Sequence, residues 1–338
     1  MSFSLTQLIE ARQADQYDLH MKYISPHMVR VQQIIGFDKR YTHGEGAYLW
    51  DADGNRYLDL LSGYSVFNLG RGHPVIKQAM QEALMLERPN LVKMDCPLLA
   101  GLLAEELVKH MTPGLDAIFF ANSGADAVDT AIKFARYATK RPRVVFLDHA
   151  FHGLTLGTLS VNGGEAFKKG FEPLIPGTVM VAMNDLDALE KELRKGDVAA
   201  FLVEPIQGKG VYIPNDDYLP EAQRLCRKYG AQFICDEVQV GLGRAGKFLC
   251  SEHWNLEPDM VMIAKSLGGG YMPTSAVIMR REINNKVFGN LKRAQVHSTT
   301  FGQNDMSMAA GLATLHVMDE EKIIERSATV GAKLFAGL

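Results

Sequence analysis

The chain has 338 residues, 47% hydrophobic and 22% charged, which allows a generous core and excludes a small disulfide-stapled scaffold. Lys and Arg number 36 against 39 Asp and Glu, a formal charge of −3, so no basic excess points to nucleic acid or an anionic membrane. The longest apolar stretch, Pro97–Ala104, is far too short to cross a bilayer.

Glu10, Asp15 and Asp18 make the start of the chain unlike a signal or transit peptide. Residues 1–40 read as an irregular lead-in with one helical segment. Gly46–Asp51 and Arg56–Leu61 then flank Asp53-Gly54, a hairpin signal because Gly accepts the positive φ of the turn. From about residue 74 helical and strand patterns alternate. The strand candidates are Ala117–Ala121, Arg143–Leu147, Thr178–Ala182, Val198–Val203, Gln232–Cys235, Asp259–Ile263 and Ser275–Met279. Several are continuous Val/Ile/Phe runs without polar alternation, as strands buried on both faces should be. Between the first two, Val128, Ala131, Ile132, Ala135 and Ala138 place one apolar stripe on a helix over 125–139. The pattern predicts an α/β fold whose mostly parallel, seven-stranded sheet carries helices on both faces. Residues 306–338 read as helical, with a stripe through Val317, Ile323, Ile324, Val330, Leu334 and Leu338. That stripe finds no partner before the sequence ends, so a further C-terminal region is expected.

Cys96, Cys226, Cys235 and Cys250 show neither a C-x-x-C pair nor metal spacing with His, which fits reduced thiols in a cytoplasmic enzyme. In an open parallel sheet, ligands bind at the carboxyl ends of the strands, so the residues there are the candidates. Asn122-Ser123-Gly124-Ala125-Asp126 opens a helix, where backbone N–H groups suit a phosphate; alone, Ser123 also reads as an ordinary cap. His149, Phe151 and His152 face either the core or a planar ligand. Glu204 directly follows an apolar run and must be paired or functional. Asp236 ends one strand, while Lys265 follows Val261-Met262-Ile263-Ala264 and precedes Gly268-Gly269-Gly270. Lysines are ordinarily solvated, but at the edge of a core desolvation and neighbouring positive charge would lower the pKa toward a nucleophilic amine. Gly241–Lys247 satisfies G-x-x-x-x-G-K, yet Phe248 stands where a nucleotide phosphate loop needs a hydroxyl for Mg²⁺, so nucleotide hydrolysis is excluded.

NSGADAVDTAIKFAR, HAFHGLTLG, VEPIQGKG, ICDEVQVGLGR, AKSLGGGY and HSTTFGQND, in that order, resemble the class III aminotransferases. These pyridoxal-phosphate enzymes include the ornithine, acetylornithine and 4-aminobutyrate aminotransferases. The resemblance implies the fold type I architecture of pyridoxal-phosphate-dependent transferases. It implies that residues 1–70 begin a small domain, 71–315 form the large cofactor domain, and 316–338 lead to a C-terminal domain outside this sequence.

Roles follow from the same resemblance. Lys265 would form the Schiff base with pyridoxal 5′-phosphate and then shuttle the proton. Asp236 would keep the pyridinium nitrogen protonated, so the ring accepts electrons. Ser123, Gly124 and Ala125 would hold the phosphate, Phe151 and Val238 would cover the two ring faces, and His152 joins the cofactor set. Gln239 would contact the ring's 3′ oxygen, with Glu204 beside it. Thr300 would reach the phosphate of the neighbouring subunit in a homodimer with shared active sites, and Tyr64 would line the substrate entrance. Two departures bear on the substrate. Leu154 replaces the arginine that grips a carboxylate in ornithine-type members, and Lys209 replaces an acid. Without that planar clamp, the expected donor or acceptor has a sizeable apolar portion, such as an aliphatic amine or aldehyde, while Lys209 can still engage a carboxylate as a point charge. The Lys–Asp core does not itself choose which bond breaks, so an aminomutase or decarboxylase on the same scaffold stands as the alternative, as does a truncated relative that only binds cofactor.

Overall fold

Serine caps shape the beginning of the chain. In the computed structural model, which describes residues 3–92 and 94–338, Ser4 and Ser25 accept hydrogen bonds from the N–H groups of Gln7 and Met28 and so start the helices Leu5–Arg12 and Pro26–Ile34. A third helix, Gln16–Tyr23, lies between them in sequence. The sequence reading allowed one helical segment here; Ser25-Pro26, a cap followed by proline at the first helical position, is the signal it passed over. Strands β1 (Tyr41–Glu45), β2 (Tyr48–Asp51) and β3 (Arg56–Leu58) follow as an antiparallel sheet in that order. The Asp-Gly hairpin is β2–β3. Strand β1 was not foreseen, because Tyr-Thr-His-Gly-Glu lacks apolar alternation and is ordered by pairing with β2. Residues to Leu60 form one compact unit and Leu61–Leu338 a second.

The second unit is built on seven strands: β4 (Leu115–Ala121), β5 (Arg143–Leu147), β6 (Thr178–Val181), β7 (Val198–Val203), β8 (Gln232–Asp236), β9 (Met260–Ile263) and β10 (Ser275–Arg280). Their order is β4-β10-β9-β8-β7-β5-β6, and only β10 runs antiparallel to its neighbours. The short link from β9 to β10 holds a single 3₁₀ turn, Lys265–Gly268, too little for the crossover a parallel pair requires. Successive residues sort between two cores. Phe201, Val203, Phe233, Cys235, Val261 and Ile263 enter one, while Ala200, Leu202, Ile234, Met260 and Met262 enter the other. The helix Gly124–Thr139 buries Val128, Ala131, Ile132 and Ala135 in the second core, as its stripe predicts. Truncating a core side chain such as Phe201 to Ala would cost about 3–5 kcal/mol.

The C-terminal helical stretch divides into Asp305–Glu320 and Ile323–Gly337. Lys322 between them adopts φ 50°. Asp319, Glu320 and Glu321 crowd negative charge at a helix C-terminus, which disfavours continuation, and Glu321 Oε1 bonds His73 Nε2 at 3.0 Å. No described helix is long and apolar enough to cross a membrane.

Candidate active site

Strands β8 and β9 are adjacent and parallel, with Asp236 opposite Met262, so Asp236 and Lys265 leave the same edge of the sheet side by side. Lys265 takes φ 49°, a left-handed conformation costing roughly 1–2 kcal/mol outside glycine, and its Nζ donates to Gln239 Oε1. Burial lowers the pKa of this amine, against the opposing pull of Asp236 and Glu204.

Asp236 is 4% exposed. Its Oδ1 accepts from the Val238 N–H at 3.0 Å, and its Oδ2 accepts from His152 Nδ1 at 2.7 Å. Since a carboxylate only accepts, Nδ1 carries the hydrogen. Burial disfavours the charged form of His152, but the hydrogen bond and the charges of Asp236 and Glu204 outweigh it and raise its pKa. His152 Nε2 is buried without a hydrogen-bond partner among the described residues. Asn162 Oδ1 fixes the loop by accepting from the His152 N–H at 2.9 Å. Asn162 lies ten positions on, in Val161-Asn162-Gly163, where no sequence signal marks it.

Glu204 joins the loops after β5 and β7. Its two oxygens accept from the N–H groups of Phe151 and Gly208, each at 3.0 Å. Burial raises its pKa; the neighbouring His152 charge opposes that and Asp236 reinforces it. At the start of the helix Gly124–Thr139, a Cβ on Gly124 would lie 2.8 Å from Val238 Cγ1, so helix and strand end meet only because that residue has no side chain. Ser123 does cap this helix, its Oγ accepting from the Asp126 N–H at 3.1 Å. The N–H groups of Gly124 and Ala125 make no hydrogen bond among the described residues.

Lys265, Gln239, Val238, Asp236, His152, Phe151, Glu204, Gly124 and the flanking Ser123 and Ala125 therefore form one connected cluster. The remaining candidates stand apart from these contacts. Tyr64 is 66% exposed, in a turn where Ser62, Gly63, Tyr64 and Ser65 all have positive φ. Leu154 is 57% exposed. Lys209 sits 4.1 Å over the Phe167 ring, which in turn meets Phe151 edge-on at 5.5 Å. Thr300 lines a cavity of about 760 Å³ with Phe119, Phe120 and His297. The Gly241–Lys247 segment is a turn in which the Leu242 N–H donates to Phe248 O at 2.7 Å, not a phosphate loop opening a helix. The sequence reading did not single out Glu237, buried and accepting from the N–H groups of Cys250 and Ser251 at 2.8 and 2.7 Å; burial pushes its pKa up to about 7. No group of acids, His and Cys among the described residues could hold a metal.

The family model for aminotransferase class-III matches residues 32–338. The chain belongs to the class-III aminotransferase family. It is 40% identical over 300 residues to a putrescine aminotransferase of Pectobacterium atrosepticum, covering 86% of this chain and 63% of that protein. It is 35% identical over 320 residues to the aminotransferase PigE of a Serratia strain, covering 94% of this chain and 37% of that protein. The chain thus spans less than two thirds of the length of either relative. The solved ornithine aminotransferase of Toxoplasma gondii superposes with a TM-score of 0.88 at 28% identity, covering 98% of this chain and 79% of that one. Class-III aminotransferases use pyridoxal 5′-phosphate, and the family fold is the α/β fold described above.

Proposed function

We propose that this class-III member transfers an amino group from an amine or amino acid to a keto acid or aldehyde, with Lys265 carrying the cofactor covalently. The observation that supports this most is the convergence of a desolvated amine, Lys265, and a buried, oriented carboxylate, Asp236, from adjacent strand ends. The cluster fits pyridoxal 5′-phosphate: two unused N–H groups at a helix start suit the phosphate, and Asp236 has acceptor capacity left.

When bound, the cofactor supplies an electron-accepting ring in conjugation with the reacting amino group. Asp236 holds a proton at the ring nitrogen, and His152, itself held by Asn162, keeps that carboxylate aimed. Lys265 Nζ, its pKa lowered by burial, takes the proton from the donor carbon that bears nitrogen and returns it in the next step. Ser123, Gly124 and Ala125 bind the phosphate; Phe151 and Val238 enclose the ring; Gln239, adjoining Lys265 Nζ, serves its oxygen substituent, and Glu204 fixes the loops around them.

In the same reading the protein is a cytoplasmic homodimer in which Thr300 reaches the partner's phosphate. The N-terminal unit forms part of a small domain, and residues 316–338 serve as the interdomain segment. Exposed Leu154 and Tyr64 favour a donor with an aliphatic body, and the likeness to a putrescine aminotransferase supports an amine donor. One half-reaction tests the class of chemistry. Incubation with an amine or an amino acid and no acceptor should bleach the visible band of the bound cofactor and release one equivalent of the matching aldehyde or keto acid; release of CO₂ from the amino acid, or isomerisation of either compound, would replace this reading with decarboxylase or mutase chemistry.

A further inference from the structure

The segment that carries Thr300 is pinned at both ends. Beyond it, Gly302 presses on β4, where a Cβ would lie 2.5 Å from Phe120 O. Asn304 then caps Asp305–Glu320 by accepting from the Ser307 N–H at 2.9 Å, while its Nδ2 donates to Phe301 O at 2.6 Å. Ahead of Thr300, the ring of His297 packs against Phe119 and Phe134, with centroids 4.7 and 5.2 Å away. It also bonds twice to the helix Gly124–Thr139, through Nε2 to Thr130 Oγ1 at 2.9 Å and through Nδ1 to Lys133 Nζ at 2.8 Å.

Hydrogen counting fixes the tautomer. Thr130 Oγ1 already gives its one hydrogen to Asp126 O at 2.8 Å, so Nε2 must be the donor of that pair. Nδ1 then has a lone pair, and the Lys133 ammonium donates to it. A neutral ring satisfies both bonds. Burial and the Lys133 charge lower the pKa of His297, with Asp126 opposing, which is consistent with that state.

We propose that His297, as the neutral Nε2–H tautomer, is a positioning residue that registers the Thr300 segment against the helix whose first turn takes the cofactor phosphate. This rests on the reading of Thr300 and Ser123–Ala125 as phosphate ligands. Since the helix start serves one subunit's site and Thr300 its partner's, one imidazole sets the spacing of two sites.

The test is the dissociation constant of pyridoxal 5′-phosphate, titrated by absorbance into the full chain stripped of cofactor. T300A should weaken binding about tenfold or more, and H297A by a similar factor. The double variant should be no worse than either single one, because His297 acts only through Thr300. H297Q, whose amide can still donate to Thr130, should stay within about twofold of the wild type. If H297A fails to fold, H297N, too short to reach Thr130, takes its place in the cycle. Additive losses, a silent His297 variant, or no rescue by H297Q would overturn the proposal and leave Thr300 as a ligand. An unchanged constant in T300A would overturn both.

Discussion

Two buried aspartates, one in each unit, are treated differently by their surroundings. Asp51, 6% exposed, accepts from the N–H groups of Asp53 and Asn55 at 3.0 and 2.9 Å, from Asn55 Nδ2 at 3.0 Å and from the Tyr57 hydroxyl at 2.7 Å. A carboxylate has about four acceptor sites, so this one is full. The Tyr57 hydroxyl, chiefly, brings its pKa down to about 2. Asp236 is equally buried yet, among the described residues, accepts only from His152 and Val238. Around it lie a lysine with lowered pKa, a glutamate with raised pKa and an imidazole nitrogen without a partner. Saturation marks a carboxylate that holds a turn in shape. Unused valence at equal burial is costly, and it persists where a ligand completes it.

The largest expected effect is at Lys265. Lys265→Ala should abolish the visible absorbance of covalently held cofactor and lower turnover about 10⁴-fold, whereas the melting temperature of the cofactor-free protein should hold or rise because a strained, desolvated side chain is removed. Retained absorbance in a purified variant would end the mechanism. Asp236→Asn comes next. It keeps the shape and one acceptor but no charge, so kcat should fall about 10²–10³-fold with little change in folding. Near-normal kcat would place Asp236 in the same structural class as Asp51 and dissolve the contrast.

The sheet was legible because its strands are continuous apolar runs, and all seven lie within a residue or two of their expected bounds. The residues at their carboxyl ends were readable as a set because position after a buried strand is itself a signal. What lay hidden was pairing. Nothing local says that His152 meets Asp236 rather than the core, that Glu204 spans two loops, or that Thr130 and Lys133 hold His297; each contact joins positions far apart in sequence. Of the three N-terminal helices only one helical segment was expected, and the rest were missed for the opposite reason. Ser4 and Ser25-Pro26 are clear local signals, but the helices that follow bury almost nothing, so no apolar stripe drew attention to them.

A smaller effect is expected at the entrance. Leu154→Arg adds a bidentate carboxylate clamp at an exposed position, and kcat/KM for ω-amino acids relative to simple alkyl amines should rise about tenfold. A wild-type enzyme that already prefers ornithine or 4-aminobutyrate to alkyl amines would refute the apolar-donor reading.

Asp51→Asn should be the mildest, and it examines the other half of the contrast. The folded pKa of Asp51 lies below its ordinary value of about 3.9, so its contribution to stability is complete above that pH. It should fade as the pH falls toward about 2, where the folded carboxyl takes up its proton. In the wild type, amide hydrogen-exchange protection at Asn55 and Tyr57 should therefore drop over that acidic window. In the asparagine variant, where one oxygen has become an NH₂ facing donors, protection should be low at every pH and the acid-dependent step should vanish. The cofactor band at neutral pH should be unchanged, because a saturated turn carboxylate has no free acceptor to offer a ligand. Protection equal to the wild type would mean that the four bonds do not hold the turn, and filled valence would no longer separate the structural aspartate from the chemical one.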